Sequence, residues 1–116
     1  MALSAGSIVF TGFNADGNDN LAFAVLEDIT AGTQIHFSDR TWDGAAFTSA
    51  ETFWTWTATG DVAAGTVVQI DNFASGTLTA SVGSVAFSTT TNRGFSASAE
   101  TIYAYTGSAP TVPETF

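Results

Sequence analysis

The residues best suited to chemistry lie early in the chain, in the segment GFNADGNDNLAF at 12–23. Its oxygen-bearing side chains recur at alternating positions, as calcium ligands do, and Gly17 permits a sharp turn between them. Asp43 would add a further carboxylate if its loop lies beside this segment. The candidate calcium ligands are Asn14, Asp16, Asn18, Asp19 and Asp39.

The same segment is also explained by a turn without a metal. No Glu follows at the spacing of an EF-hand, and the segment leads into an apolar strand. Asn and Asp side chains commonly bond their own backbone in hairpin turns. The sequence therefore leaves two interpretations open, a calcium site and an Asx-rich turn.

Aromatic side chains form the second candidate site. Trp54 and Trp56 alternate in FWTWT and so share one face of a strand, where two indoles can form a platform for sugar rings. The competing interpretation places them in the core, and we expect this at least for Trp56. Trp42 lies in the polar segment RTWDG and is the better candidate for an exposed ring. A polysaccharide-binding surface would use Trp42 and Trp54.

The sequence contains no catalytic motif. His36 is the only histidine, and strand alternation places it on a solvent face, exposed or partly paired. No G-x-S-x-G elbow is present, and the absence of cysteine removes thiol chemistry. Glu27 and Asp28 are adjacent, so they point in opposite directions on a strand and make a poor glycosidase pair. We therefore predict no catalytic residues and no enzyme activity.

Composition restricts the partners and the location. The net charge is −9, from 11 acidic residues against two arginines and no lysine, and such a surface repels nucleic acid and anionic membranes. Charged residues make up only 11 % of the chain, against roughly 25 % in an average domain. Neutral polar surfaces of this kind are typical of secreted and cell-surface domains. The first residues, MALSAGSIVF, lack the features of a signal peptide, so secretion implies a removed leader or a longer precursor.

The elements that position these side chains are β-strands. Apolar residues alternate, and the runs are rich in β-branched and aromatic residues separated by Gly, Asn and Asp turns. The pattern predicts an all-β, immunoglobulin-like two-sheet sandwich of about eight short strands, as one domain over 1–116 or a module of a longer chain. The predicted strands are Ser7–Phe13, Asn20–Glu27, Thr33–Ser38, Thr52–Thr59, Thr66–Asp71, Thr77–Ala80, Ser84–Ser88 and Thr101–Thr106.

An internal repeat links two of these strands. DITAGTQIHFSD at 28–39 matches DVAAGTVVQIDN at 61–72, and each copy leads from a glycine turn into alternating apolar residues. We expect the two repeated strands to lie in opposite sheets. The strand Asn20–Glu27 has no polar face, which predicts a central position with its alanine side covered by another layer or chain.

Three segments resemble a β-sandwich module of large secreted or surface-anchored bacterial proteins, distantly similar to the immunoglobulin-like lamin-tail domains. They are the turn and strand start at Asn14–Leu21, the AGTxIxFSD segment ending at Asp39, and SASAETIYAY. The resemblance spans about residues 6 to 115. Proteins with this module often also contain calcium-binding nonapeptide repeats, nuclease domains or esterase domains. The resemblance implies no catalytic residues in the module, and members continue with another apolar strand after the position of Phe116.

Missing edge protection suggests the function. Soluble β-proteins protect sheet edges with lysine, proline or inward charge. This chain has no lysine and only two prolines, both near its end. Such edges suit a subunit that docks on other copies of itself or on neighbouring β-domains. We therefore predict a non-enzymatic extracellular structural or adhesive module of a surface layer, fibre or secreted multidomain protein. The alternatives are a calcium-assisted carbohydrate-binding module and an accessory domain of a secreted nuclease or esterase.

Overall fold

A computed structural model describes residues 6–14, 20–38, 53–72, 78–87, 102–109 and 112–115. Within these ranges the chain forms nine strands and no helix. The strands are β1 (Ile8–Asn14), β2 (Asn20–Val25), β3 (Gln34–Ser38), β4 (Phe53–Thr57), β5 (Val67–Asp71), β6 (Thr79–Ala80), β7 (Ser84–Phe87), β8 (Tyr103–Ala109) and β9 (Val112–Thr115).

The strands form two antiparallel sheets. One has four strands in the order β1-β2-β5-β6, and the other has five in the order β7-β4-β3-β8-β9. The chain changes sheet between β2 and β3, between β4 and β5, and between β6 and β7. The predicted all-β two-sheet sandwich is confirmed.

Aromatic and branched side chains from both sheets fill the space between them. The Phe37 and Trp54 rings stack with centroids 5.7 Å apart and planes 5° apart, and Phe23 meets Trp56 edge-on at 5.5 Å. The indole N–H of Trp56 donates to the carbonyl oxygen of Val82 at 2.7 Å. A buried indole with its N–H satisfied is stable in a core, so the predicted core position of Trp56 is confirmed.

The internal repeat predicts the strand positions correctly. The first copy continues into β3 and the second into β5, which lie in different sheets. Ile29 and Val62, at equivalent places in the two copies, exchange two backbone hydrogen bonds of 2.8 Å and are both buried. β2 lies between β1 and β5, which confirms the predicted central position of that strand.

The prediction for His36 is correct in one part and wrong in the other. Its Nδ1 is hydrogen-bonded to the Thr55 hydroxyl at 2.8 Å, so it is paired as expected, but it is buried, with only 3 % of its surface exposed. Alternation correctly places it opposite Ile35 and Phe37, on the outer side of the five-stranded sheet. Ser38 and Tyr105 on the same side are buried as well, which shows that water does not reach this part of the sheet. Alternation tells which side of a sheet a residue occupies, and it does not tell whether that side meets water.

The C-terminal segment also differs from the prediction. No strand is predicted after Thr106, yet Val112–Thr115 forms β9, paired with β8. β9 is an edge strand, so it has no further strand on its outer side. Proline is tolerated there because its missing N–H breaks no bond to such a neighbour. The strand predicted over Thr77–Ala80 is also shorter in the structure, where β6 has only two residues.

Candidate functional site

Most of the predicted calcium ligands lie outside the described residues. Asn14 is the last residue of β1, and its backbone pairs with Asn20 at the start of β2. The other predicted ligands all lie outside the described ranges: Asp16, Asn18, Asp19, Asp39 and Asp43. No group of three or more His, Cys, Asp or Glu side chains that could hold a metal occurs among the described residues. The calcium site stays a prediction.

The two tryptophans of the carbohydrate hypothesis have different outcomes. Trp54 is fully buried with 0 % of its surface exposed, and Phe37 covers one face of its indole. A sugar ring needs an accessible indole face, so the assignment of Trp54 to a binding platform is wrong. Trp42 lies outside the described residues and stays a prediction.

Among the described residues, the strand best suited to bind a partner is β1, the first strand of the four-stranded sheet. β1 is the terminal strand of its sheet and runs for seven residues, IVFTGFN, without a charge or a proline. Val9 and Phe10 on this strand are 46 % and 39 % exposed. The sequence places both residues in a strand but gives no sign that they are exposed, because exposure depends on which strand ends the sheet.

The other large apolar side chains exposed in the described part of the chain lie in the same sheet or directly beside it. Leu26 directly follows β2 and is 55 % exposed, and Val67 begins β5 and is 53 % exposed. Val9, Ala24 and Val67 are register partners across β1, β2 and β5. An apolar row therefore runs across β5, β2 and β1 on the outer side of the four-stranded sheet and ends at the β1 edge.

The hydrogen-bond pattern shows which peptide groups of β1 point away from β2. Leu26 N–H donates to the carbonyl oxygen of Ser7 at 2.8 Å. Hydrogen-bonded and non-hydrogen-bonded pairs alternate along an antiparallel ladder, so Val9 bonds Ala24 while Ile8 and Phe10 do not bond their partners. The Ile8 and Phe10 peptide groups therefore point to the outer edge of the sheet.

A β-bulge limits the length of this edge. The register shifts between Phe10 and Gly12, so that Thr11 is the additional residue. A bulge twists an edge strand and interrupts regular pairing. The regular part of the edge is thus the segment Ile8–Phe10, before the bulge.

The other sheet ends in the described residues differ from β1. β6 has two residues and β7 has four. β9 contains Pro113 and Glu114, which are the residue types that protect an edge. β1 is thus the longest terminal strand, and its sequence has none of the protective residue types.

The described charges are all acidic, and none lies on β1. The charged residues in the described ranges are Glu27, Asp28, Asp61, Asp71 and Glu114. Glu27 accepts a hydrogen bond from the Ser7 hydroxyl at 2.8 Å, just before β1 begins. The edge is thus an uncharged segment of a chain whose net charge is −9.

Comparison of the chain with protein-family models, curated proteins and solved structures finds no match. The described residues contain no helix long and apolar enough to cross a membrane. The resemblance to a module of secreted bacterial proteins therefore stays a prediction.

Proposed function

We propose that this chain is a non-enzymatic structural module that assembles with other copies or with neighbouring β-domains through the edges of its sheets. The observation that carries the proposal is the β1 edge, a terminal strand with no charge and no proline, whose first three residues, Ile8–Phe10, form a regular edge before the bulge. A protein that works as a monomer gains nothing from such an edge and risks aggregation through it. A module that adds strands to its sheet requires it.

The exposed side chains beside the edge support the same proposal. Val9 and Phe10 are adjacent residues, and their side chains project to opposite sides of the sheet. A strand added at β1 would cover apolar surface on both sides while it bonds the outward peptide groups. Backbone bonds combined with alternating side-chain contacts are the usual basis of β-augmentation.

Composition supports an extracellular location for this module. A surface with 11 % charged residues depends on neutral polar groups, which are common on secreted and cell-surface domains. The absence of cysteine is compatible with this location and makes assembly independent of disulfide exchange. The module would then form part of a surface layer, a fibre or a large secreted protein.

Sedimentation velocity over a wide concentration range tests the proposal. We expect the wild-type chain to shift from monomer to larger species as its concentration rises, in buffer with calcium and in buffer with chelator. A single monomeric boundary at millimolar concentration under both conditions would rule out self-assembly. If the chain binds an isolated neighbouring domain but does not associate with itself, docking on β-domains stands and assembly with other copies is ruled out.

A further inference from the structure

We infer that β1 pairs with β1 of a second copy, antiparallel and about a two-fold axis, in the register that places Val9 opposite Val9 of the second copy. This inference rests on the proposed function and identifies its contact. It follows from the direction of the peptide groups on β1, from the bulge that ends the regular edge, and from the exposure of two side chains.

Only two residues before the bulge direct their peptide groups outward, Ile8 and Phe10. An antiparallel partner bonds such residues in pairs, and each hydrogen-bonded pair exchanges two bonds. The register that joins Ile8 of each copy to Phe10 of the other uses both outward residues of both chains. A register shifted by two residues places one of them against the bulge at Thr11 or beyond the start of the strand.

Val9 lies on the two-fold axis in this register. It forms a non-hydrogen-bonded pair with its counterpart, the arrangement in which Cα atoms are about 4.5 Å apart and side chains are closest. The exposed Val9 side chain thus contacts its equivalent on the outer side of the sheet. On the opposite side, Ile8 of the second copy covers the exposed ring of Phe10.

Charge makes β1 a favourable place for contact between two copies. Two chains of net charge −9 repel each other, so contact between them is least costly where neither presents a carboxylate. β1 has none, whereas β9 carries Glu114 and β6 lies beside Asp71 of β5. β7 has no charge either, but it has only four residues. Pairing at β1 would join two four-stranded sheets into one continuous eight-stranded sheet.

The contact area indicates a weak association. A three-residue edge with two or three covered side chains buries much less than the roughly 800 Å² per partner of a standard interface. We therefore expect association at high protein concentration, or within an array where several contacts act together.

Charged variants at Val9 test the register. Val9→Lys and Val9→Glu each place like charges against each other on the two-fold axis, and we expect each variant alone to associate at least about tenfold more weakly than the wild type. An equimolar mixture places Lys opposite Glu and should restore association. The matched controls are Val67→Lys and Val67→Glu, which change the net charge equally on the same side of the sheet, about 10 Å away across two strand spacings.

A cysteine variant gives an independent test that does not depend on weakening the contact. The chain has no cysteine, so Val9→Cys carries a single thiol. Directly opposed cysteines in a non-hydrogen-bonded pair meet the distance requirement of a disulfide. We expect mild oxidation to give a covalent dimer of Val9→Cys at protein concentrations where Val67→Cys remains monomeric.

The outcomes separate the inferred contact from the proposed function. Restored association in the Val9 mixture, with Val67 variants like the wild type, supports the inferred contact. Wild-type-like association of each Val9 variant alone would overturn it while the assembly function stands. Equal losses at Val9 and Val67 would overturn it as well, in favour of face-to-face contact. A wild-type chain that never associates would overturn the homotypic contact and the self-assembly function together.

Discussion

Asp28 and Asp61, equivalent residues of the internal repeat, each hold the turn of the other copy. The Asp28 carboxylate accepts a hydrogen bond from the Ala64 N–H at 2.9 Å, and the Asp61 carboxylate accepts one from the Ala31 N–H at 2.9 Å. The two turns are thus joined reciprocally across the end of the sandwich. Because one turn leads to β3 and the other to β5, this exchange connects the two sheets.

The two turns also share their backbone conformation. Gly32 and Gly65 occupy equivalent positions with φ of 88° and 93°, in the left-handed region that favours glycine. The N–H of Thr33 bonds the carbonyl of Thr30, and the N–H of Thr66 bonds that of Ala63, both at 3.2 Å. The repeated sequence therefore encodes one local structure, used twice.

We expect the loss of either aspartate to destabilise the fold. Asp28→Ala or Asp61→Ala leaves a turn N–H without its acceptor, which should lower the free energy of unfolding by about 1 kcal/mol, with water replacing part of the bond. Asp28→Asn keeps an acceptor oxygen and should lose less. Urea unfolding measures both effects. A stability equal to the wild type in both alanine variants would show that the bonds contribute nothing.

The fold requires glycine more strictly at position 83 than at the turn positions 32 and 65. Its φ is 77°, and an added Cβ would lie 2.6 Å from the Thr57 carbonyl oxygen and 2.7 Å from the Trp56 indole nitrogen. Gly83→Ala should therefore cost more than the roughly 1–2 kcal/mol of left-handed strain alone.

Gly65→Ala is the matched control for this variant, because Gly65 has a similar φ and no atom within 4 Å of an added Cβ. We expect the control to show the strain cost only. Equal losses of unfolding free energy in the two variants would contradict the steric argument.

Burial of Trp54 and Trp56 predicts their fluorescence. The chain has three tryptophans, so Trp42→Phe leaves only these two. Because both are 0 % exposed, we expect blue-shifted emission, weak quenching by acrylamide and no response to polysaccharides. Strong quenching in the folded variant would contradict the burial. A polysaccharide response present in the wild type and absent from Trp42→Phe would support the carbohydrate alternative at Trp42.

Salt should strengthen assembly. Each copy carries a net charge of −9, while the proposed contact consists of backbone bonds and apolar side chains. Salt screens the repulsion between copies and leaves such a contact largely unaffected. We expect the association constant of the wild type to rise between 20 mM and 500 mM sodium chloride, measured by sedimentation. A fall over this range would indicate a contact held by opposite charges.

The sequence predicts much of the fold because the fold follows local rules. Alternation locates the strands, glycine marks the turns, and the repeat places β3 and β5 in opposite sheets. The burial of His36 is not predictable in this way, since it depends on what packs against the outer side of the sheet. β9 is missed because Pro113 argues against a strand wherever a ladder continues on both sides.

The candidate site is only partly predictable from sequence. The shortage of protective residues is visible as composition, and it predicts open edges without saying which strand forms one. The choice of β1 depends on the strand order, and the register of the contact depends on the bulge at Thr11. Both features arise from pairing between distant segments.

Amide hydrogen exchange of Ile8 and Phe10 tests the central claim most directly, because their N–H groups point to the outer edge. We predict that both amides exchange more slowly as protein concentration rises, while Val9, whose amide faces β2, is protected at every concentration. Unchanged exchange of Ile8 and Phe10 at concentrations where the chain associates would contradict assembly through the β1 edge.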